Sequence, residues 1–147
     1  PSAHAFALEN SATTARCSAL RSIDQKHQTW KKDFVQFSAH QYEWDSGTRF
    51  ERMNQSLNEL LSWMDSVRSW ETNAPESKIT AQAHQWRDSI QNGKLTSFDA
   101  AAVLKPGLPK ISEQLSKMLD EARHGAHGCD STASVPTVSK APPDAAN

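Results

Sequence analysis

The sequence predicts an all-α protein: an up-and-down antiparallel four-helix bundle built on a long helical hairpin. Three observations carry that expectation. First, Leu20, Ile23, His27, Trp30, Phe34, Phe37, Gln41 and Trp44 recur at alternating steps of three and four. Phe50, Met53, Leu57, Leu60, Met64 and Val67 do the same, which is the spacing of helices that pack along an apolar seam. Second, Asp45-Ser46-Gly47 separates the two runs, and Thr48 with Glu51 three residues on has the form of a capping box. Third, further apolar stripes follow at helical spacing, divided by Pro and Gly.

The first helix is expected over about 10–45, after a flexible segment 1–9. Ala12, Ala15 and Ala19 extend it backwards from Leu20 as good helix formers. A tight turn near 46–47 starts the second helix, about 48–72. That turn sets Trp44 against Phe50, Phe37 against Leu57, Phe34 against Leu60 and Trp30 against Met64. The Met64 sulfur can then lie on the Trp30 ring. His27 falls opposite Val67 with Glu71 one turn further, so a neutral, buried imidazole bonded to Glu71 or to a backbone carbonyl is expected. Gln41 is a polar residue in the seam and a candidate for setting register.

The second helix carries another apolar edge, Leu61, Trp63 and Trp70, off the main seam. A helix with two apolar edges needs more than one neighbour, and these three residues are also the candidate surface for a partner. A third helix is expected over 75–92, with Asn73 as cap, Pro75 in its first turn and Glu76 at its third position. Its stripe is Ile79, Ala83, Trp86 and Ile90, and Asn92-Gly93 stops it. Thr96 or Ser97 caps one short extra helix over 97–104. Pro106-Gly107-Leu108-Pro109 interrupts, because proline lacks the amide and its ring clashes with the preceding turn. The last helix, 109–124, carries Ile111, Leu115, Met118, Leu119 and Ala122 and stops at Gly125. The helical domain thus spans 10–127. The tail 128–147 is rich in Ser, Thr, Pro and Ala and is expected to be disordered.

The two cysteines, Cys17 and Cys129, form no Cys-x-x-Cys pair. An even number of antiparallel helices returns the chain to its starting end. Cys17 and Cys129 should therefore meet there, within reach of a disulfide.

Lys and Arg number 16 against 17 for Asp and Glu, a net charge of -1. Nucleic-acid binders carry a basic excess or stripe, so that class is not expected. No apolar run approaches the ~18 residues that cross a membrane. The opening Pro1-Ser2-Ala3-His4-Ala5-Phe6-Ala7 contains two overlapping small-x-small steps. These have the form of a signal-peptide remnant and point to a periplasmic or secreted protein.

Chemistry is sparse. His124, His127 and Asp130, with the Cys129 thiol, lie close enough in sequence to gather around Zn²⁺ or Cu²⁺. The competing reading is a Gly-punctuated helix exit with histidines placed at a C-terminus. His27 with Met64 or Met118 could supply haem ligands, but no Cys-x-x-Cys-His attachment motif accompanies them. His40, Tyr42, Glu43 and Asp45 cluster near the hairpin tip, yet successive residues of one helix diverge instead of converging on a pocket. No Glu-x-x-His pair repeats on two helices, and neither a Gly-rich phosphate loop nor a Gly-x-Ser-x-Gly elbow is present.

Trp30, placed ahead of Leu57, Trp63 and Met64, resembles the tryptophan spacing of spectrin repeats over that part of the chain. The Pro-Gly-Leu-Pro break and the short third helix depart from that pattern, and no function is carried across. The functional expectation is a non-catalytic, exported helical interaction or accessory protein, with another protein as partner and no cofactor. The alternatives are a small-ligand- or metal-binding bundle, and a sensory or structural domain of a longer protein.

Overall fold

Four helix-forming runs separated by capped turns fold into an all-α bundle. The computed structural model describes residues 3–71, 75–124 and 129, with side chains from residue 12 onward. Among these, α1 (Ala3–His40) runs into a 3-10 turn (Gln41–Glu43), followed by α2 (Ser46–Trp70), α3 (Lys78–Gln91) and α4 (Ser97–Arg123). No helix among the described residues is long and apolar enough to cross a membrane.

The ends of the helices differ from the expected ones for local reasons. α1 begins at Ala3, so the backbone of 3–9, expected to be flexible, is helical. Its alanines with Leu8 and Glu9 are strong helix formers, and neither Pro nor Gly interrupts them. At the other end α1 tightens into the 3-10 turn instead of running on to Trp44. The cap of α2 is Asp45, not Thr48. Its carboxylate accepts the Thr48 amide at 2.8 Å and the Thr48 hydroxyl at 3.1 Å. These bonds hold the Asp45 carboxyl below its ordinary pKa. Gly47 lies inside the first turn of α2 and does not end α1. α3 is capped by Ser77, whose hydroxyl accepts the Thr80 amide at 3.2 Å. It therefore starts three residues after Pro75, and Asn73 lies outside the described residues. The stop after α3 is as expected: Asn92 is the C-cap and Gly93 takes φ 77°, a conformation glycine adopts without steric cost.

The largest departure is in α4. No break separates 97–104 from 109–124: one helix capped by Thr96 carries both Pro106 and Pro109. Both prolines, and Ala102 and Lys105 four residues before them, face solvent. The carbonyls that lose a helical partner thus lie on the exposed side, where water can serve them. The opposite face is continuous and buried: Ala100, Leu104, Leu108, Ile111, Leu115 and Leu119. Burial along this stripe, at about 1.5–3 kcal/mol per large side chain, outweighs roughly 3 kcal/mol of propensity lost per proline. Gly107 belongs to that face. A Cβ there would stand 2.6 Å from Cζ3 of Trp86, so α3 and α4 touch ring to backbone at this point.

α2 and α4 are the most closely packed pair. They run parallel, since both start at the hairpin tip and both end beside the Cys17–Cys129 disulfide. Leu57, Leu60, Leu61 and Met64 of α2 and Leu104, Leu108, Ile111 and Leu115 of α4 are fully buried and make the centre of the core. α1 and α3 flank this pair. The hairpin is thus not the tightest seam of the fold. Broad rings line the later part of α1, with Trp30 and Phe34 stacked at 4.8 Å and Phe37 against Trp44 of the connection at 5.3 Å. Trp30 donates its indole N–H to Ser56 Oγ at 3.0 Å. Ser56 is nearer the tip than Met64, the expected neighbour, which agrees with α1 ending several residues earlier than anticipated.

Candidate functional site

Polar side chains that were expected to matter are mostly consumed in holding helices together. Cys17 and Cys129 are bonded, with Cα atoms 5.3 Å apart. Beside them Arg16, 5% exposed, donates to Cys129 Sγ at 3.0 Å and to the Ala122 carbonyl at 2.6 Å, and pairs with Glu71. One guanidinium thus ties the start of α1 to the ends of α2 and α4. Glu71 is therefore not the partner of His27.

His27 is fully buried with Nε2 2.7 Å from Ser112 Oγ on α4. The Trp30 and Trp63 rings lie on either side, 6.1 and 6.4 Å away. Burial, helped by the charge of Lys31 and opposed by Asp24, lowers its pKa to about 4. The ring is neutral at physiological pH, and its Nδ1 has no hydrogen-bond partner among the described residues. Ser112 was legible as the one polar residue inside the Leu108–Ile111–Leu115 stripe. Gln41 is buried as well, but its amide donates to the Ser38 carbonyl of the preceding helical turn at 3.4 Å, so it sets no register across the seam.

The expected partner surface is largely internal. Leu61 is fully buried and Trp63 packs on the core against His27. Only Trp70, 40% exposed, faces solvent. Of the expected metal cluster, only His124 and Cys129 are among the described residues. His124 is exposed, with Nε2 3.7 Å from Asp120, and the Cys129 sulfur is in the disulfide. His127 and Asp130 lie outside the described residues. Among those described, no three His, Cys, Asp or Glu side chains are placed to hold a metal ion.

What remains open is at the opposite end. A groove of about 270 Å³ lies between the 3-10 turn, the first turns of α2 and the start of α4. Its walls include Tyr42, Arg49, Met53, Phe98, Ala101 and Lys105. Tyr42 and Phe98 are 71% and 81% exposed. Each sits just off its helix's buried stripe, Tyr42 after Gln41 and Phe98 before Ala100. The alternation of helix direction brings the α1–α2 and α3–α4 connections to the same end, which puts the two rings at one groove. The sequence carried this signal, since both aromatics depart from the apolar period near a connection.

Lys105 donates to the Tyr42 hydroxyl at 2.6 Å. Its ammonium, 5.2 Å from the ring centroid, lies at the phenol rim, where that bond requires it, and not over the ring face. The bond and the charge of Lys105, with a contribution from Arg49, hold the Tyr42 phenol below its ordinary pKa. Arg49 donates one terminal nitrogen to the Trp44 carbonyl at 2.7 Å and approaches the Tyr42 ring to 5.4 Å. Among the described residues neither Arg49 nor Lys105 has a carboxylate within ion-pair distance. A second groove, about 220 Å³, runs between Trp30, Phe37, Arg52, Gln55 and Glu59. Its rings are themselves buried, Trp30 and Phe37 being 7% and 5% exposed, so it offers little apolar surface.

No family model, curated protein or solved structure matches this chain.

Proposed function

We propose that the protein is a non-catalytic, exported helical binding protein that holds another protein at its hairpin tip. The observation that carries this reading is the pair of exposed aromatics, Tyr42 and Phe98, lining one groove with two cations that have no carboxylate partner among the described residues. Aromatic residues and arginine are the side chains enriched at protein interfaces and at their energetic centres. They project from a helical scaffold that is already packed, which limits the ordering cost of docking. Export is supported by the intramolecular disulfide, a bond that persists in oxidising compartments.

The test is a photo-crosslinking amino acid placed at Phe98 or, as control, at exposed Lys117 on the far part of α4, in protein exposed to the envelope or medium of the source. The expected result is one recurring protein crosslinked from position 98 and not from position 117. Equal crosslinking at both positions, or none together with a measured catalytic turnover, overturns the reading.

A further inference from the structure

We propose that the occupant of the tip groove is an acidic segment of the partner protein. A carboxylate of that segment bridges Arg49 and Lys105, and an apolar side chain beside it enters between Tyr42 and Phe98. This rests on the reading of the tip as a protein-binding site and gives it a chemistry.

Charge is the first argument. Arg49 uses only one terminal nitrogen on backbone carbonyls, which leaves the rest of the guanidinium fork for a carboxylate. Lys105 now donates to a neutral phenol, and a carboxylate acceptor would replace it by a charge-assisted bond, roughly twice as strong. The acids at this end do not supply one. Glu43 is bonded to His40 at 2.8 Å, and Asp45 caps α2. Asp99, in the first turn of α4, and Glu51, near the start of α2, are further acids toward this end, and neither is within ion-pair distance of Arg49 or Lys105.

Shape and size are the second argument. Two cations mark a site for one or two carboxylates, whereas a polyanion would be met by a basic stripe, which the near-neutral chain does not show. The groove, at about 270 Å³, is smaller than the roughly 300–1,000 Å³ of sites that engulf a small molecule. It is large enough for one or two side chains. Met53, Ala101 and Ala102 provide its apolar lining, and the exposed rings extend the contact beyond it.

The test uses short labelled peptides in which Asp or Glu alternates with Phe or Leu, and a matched set carrying Asn or Gln instead. Binding to the intact protein is followed by fluorescence anisotropy at low and at physiological salt. The acidic set should bind at least about tenfold more tightly, and more weakly as salt rises. Lys105→Glu, at an exposed position, should cost about tenfold or more with the melting temperature unchanged, and Arg49→Gln should act in the same direction. Equal binding of the acidic and amide sets overturns the proposal, as does indifference to Lys105→Glu. Phenylpropionate is the small-molecule probe: if it binds as tightly as the acidic peptides, the occupant is a small carboxylate and the proposal fails. If no peptide binds but position 98 still crosslinks one recurring protein, the acidic occupant is wrong and the tip-binding reading stands. If both fail, both are wrong.

Discussion

At one end of the bundle Arg16 is 5% exposed and surrounded by a carboxylate, a carbonyl and the disulfide sulfur. At the other, Arg49 lies at the edge of a groove with no carboxylate beside it among the described residues. The same side chain does opposite work at the two ends. Where its partners are internal, a guanidinium joins helices and has nothing left to offer. Where they are backbone carbonyls on one side only, the remaining donors face outward. Satisfaction of polar groups, more than residue type, separates the structural end from the end available to a ligand.

The contrast can be broken first at the disulfide. Reducing Cys17–Cys129, or replacing both by Ser, should cost about 4–5 kcal/mol of stability in the chain-entropy view. Urea unfolding with and without reductant measures it. In the remaining folded fraction, the tip should keep its ligand affinity. A loss of affinity beyond the loss of fold would show that the two ends are coupled.

Between the ends, His27 makes stability depend on acid. Its folded pKa of about 4 lies below the unfolded value near 6.5. The unfolded chain therefore binds the proton first as pH falls. Stability is full above about 6.5 and declines through the window down to about 4, by roughly 3 kcal/mol. His27→Gln, which can still bond Ser112, should flatten that part of the pH profile in denaturant melts. An unchanged slope would place the acid sensitivity elsewhere.

Gly107→Ala drives a methyl into Trp86. Overpacking of this kind costs about 1–3 kcal/mol, lessened by the better helix propensity of Ala. A double-mutant cycle with Trp86→Leu should recover most of the loss. The smallest effect belongs to the tip: Phe98→Ser and Tyr42→Ser should each change stability by less than about 0.5 kcal/mol while weakening any ligand. A large drop in melting temperature for Phe98→Ser would show that this ring is part of the core after all.

The seams from Leu20 to Phe37 and from Met53 to Val67 were legible because their period matches the helix and their large side chains are buried where the period puts them. The reach of the disulfide followed from helix count alone. The break at Pro106 was misread because a local rule was applied without its context. Proline ends a helix when the freed carbonyls have nowhere to go, and here they face solvent while a full apolar stripe holds the other face. The Glu71 partner of His27 was misread through the hairpin alone. The residue that bonds it, Ser112, comes from α4, and a two-helix register cannot supply it. The tip groove was legible only in retrospect, since Tyr42 and Phe98 are far apart in sequence and meet only once helix direction is worked through.

The span of the disulfide has one more consequence. Cys17 and Cys129 are 112 positions apart, so most of α1 and all of α2, α3 and α4 lie inside a single covalent ring. The exposed connection at Pro75 and Glu76 lies within that ring. A protease that cuts there opens the ring into two chains joined by the disulfide and releases nothing. Both halves stay tethered, and on a non-reducing gel the mass is unchanged. Such a chain can be nicked and still carry both halves, and its tip, on one covalent molecule.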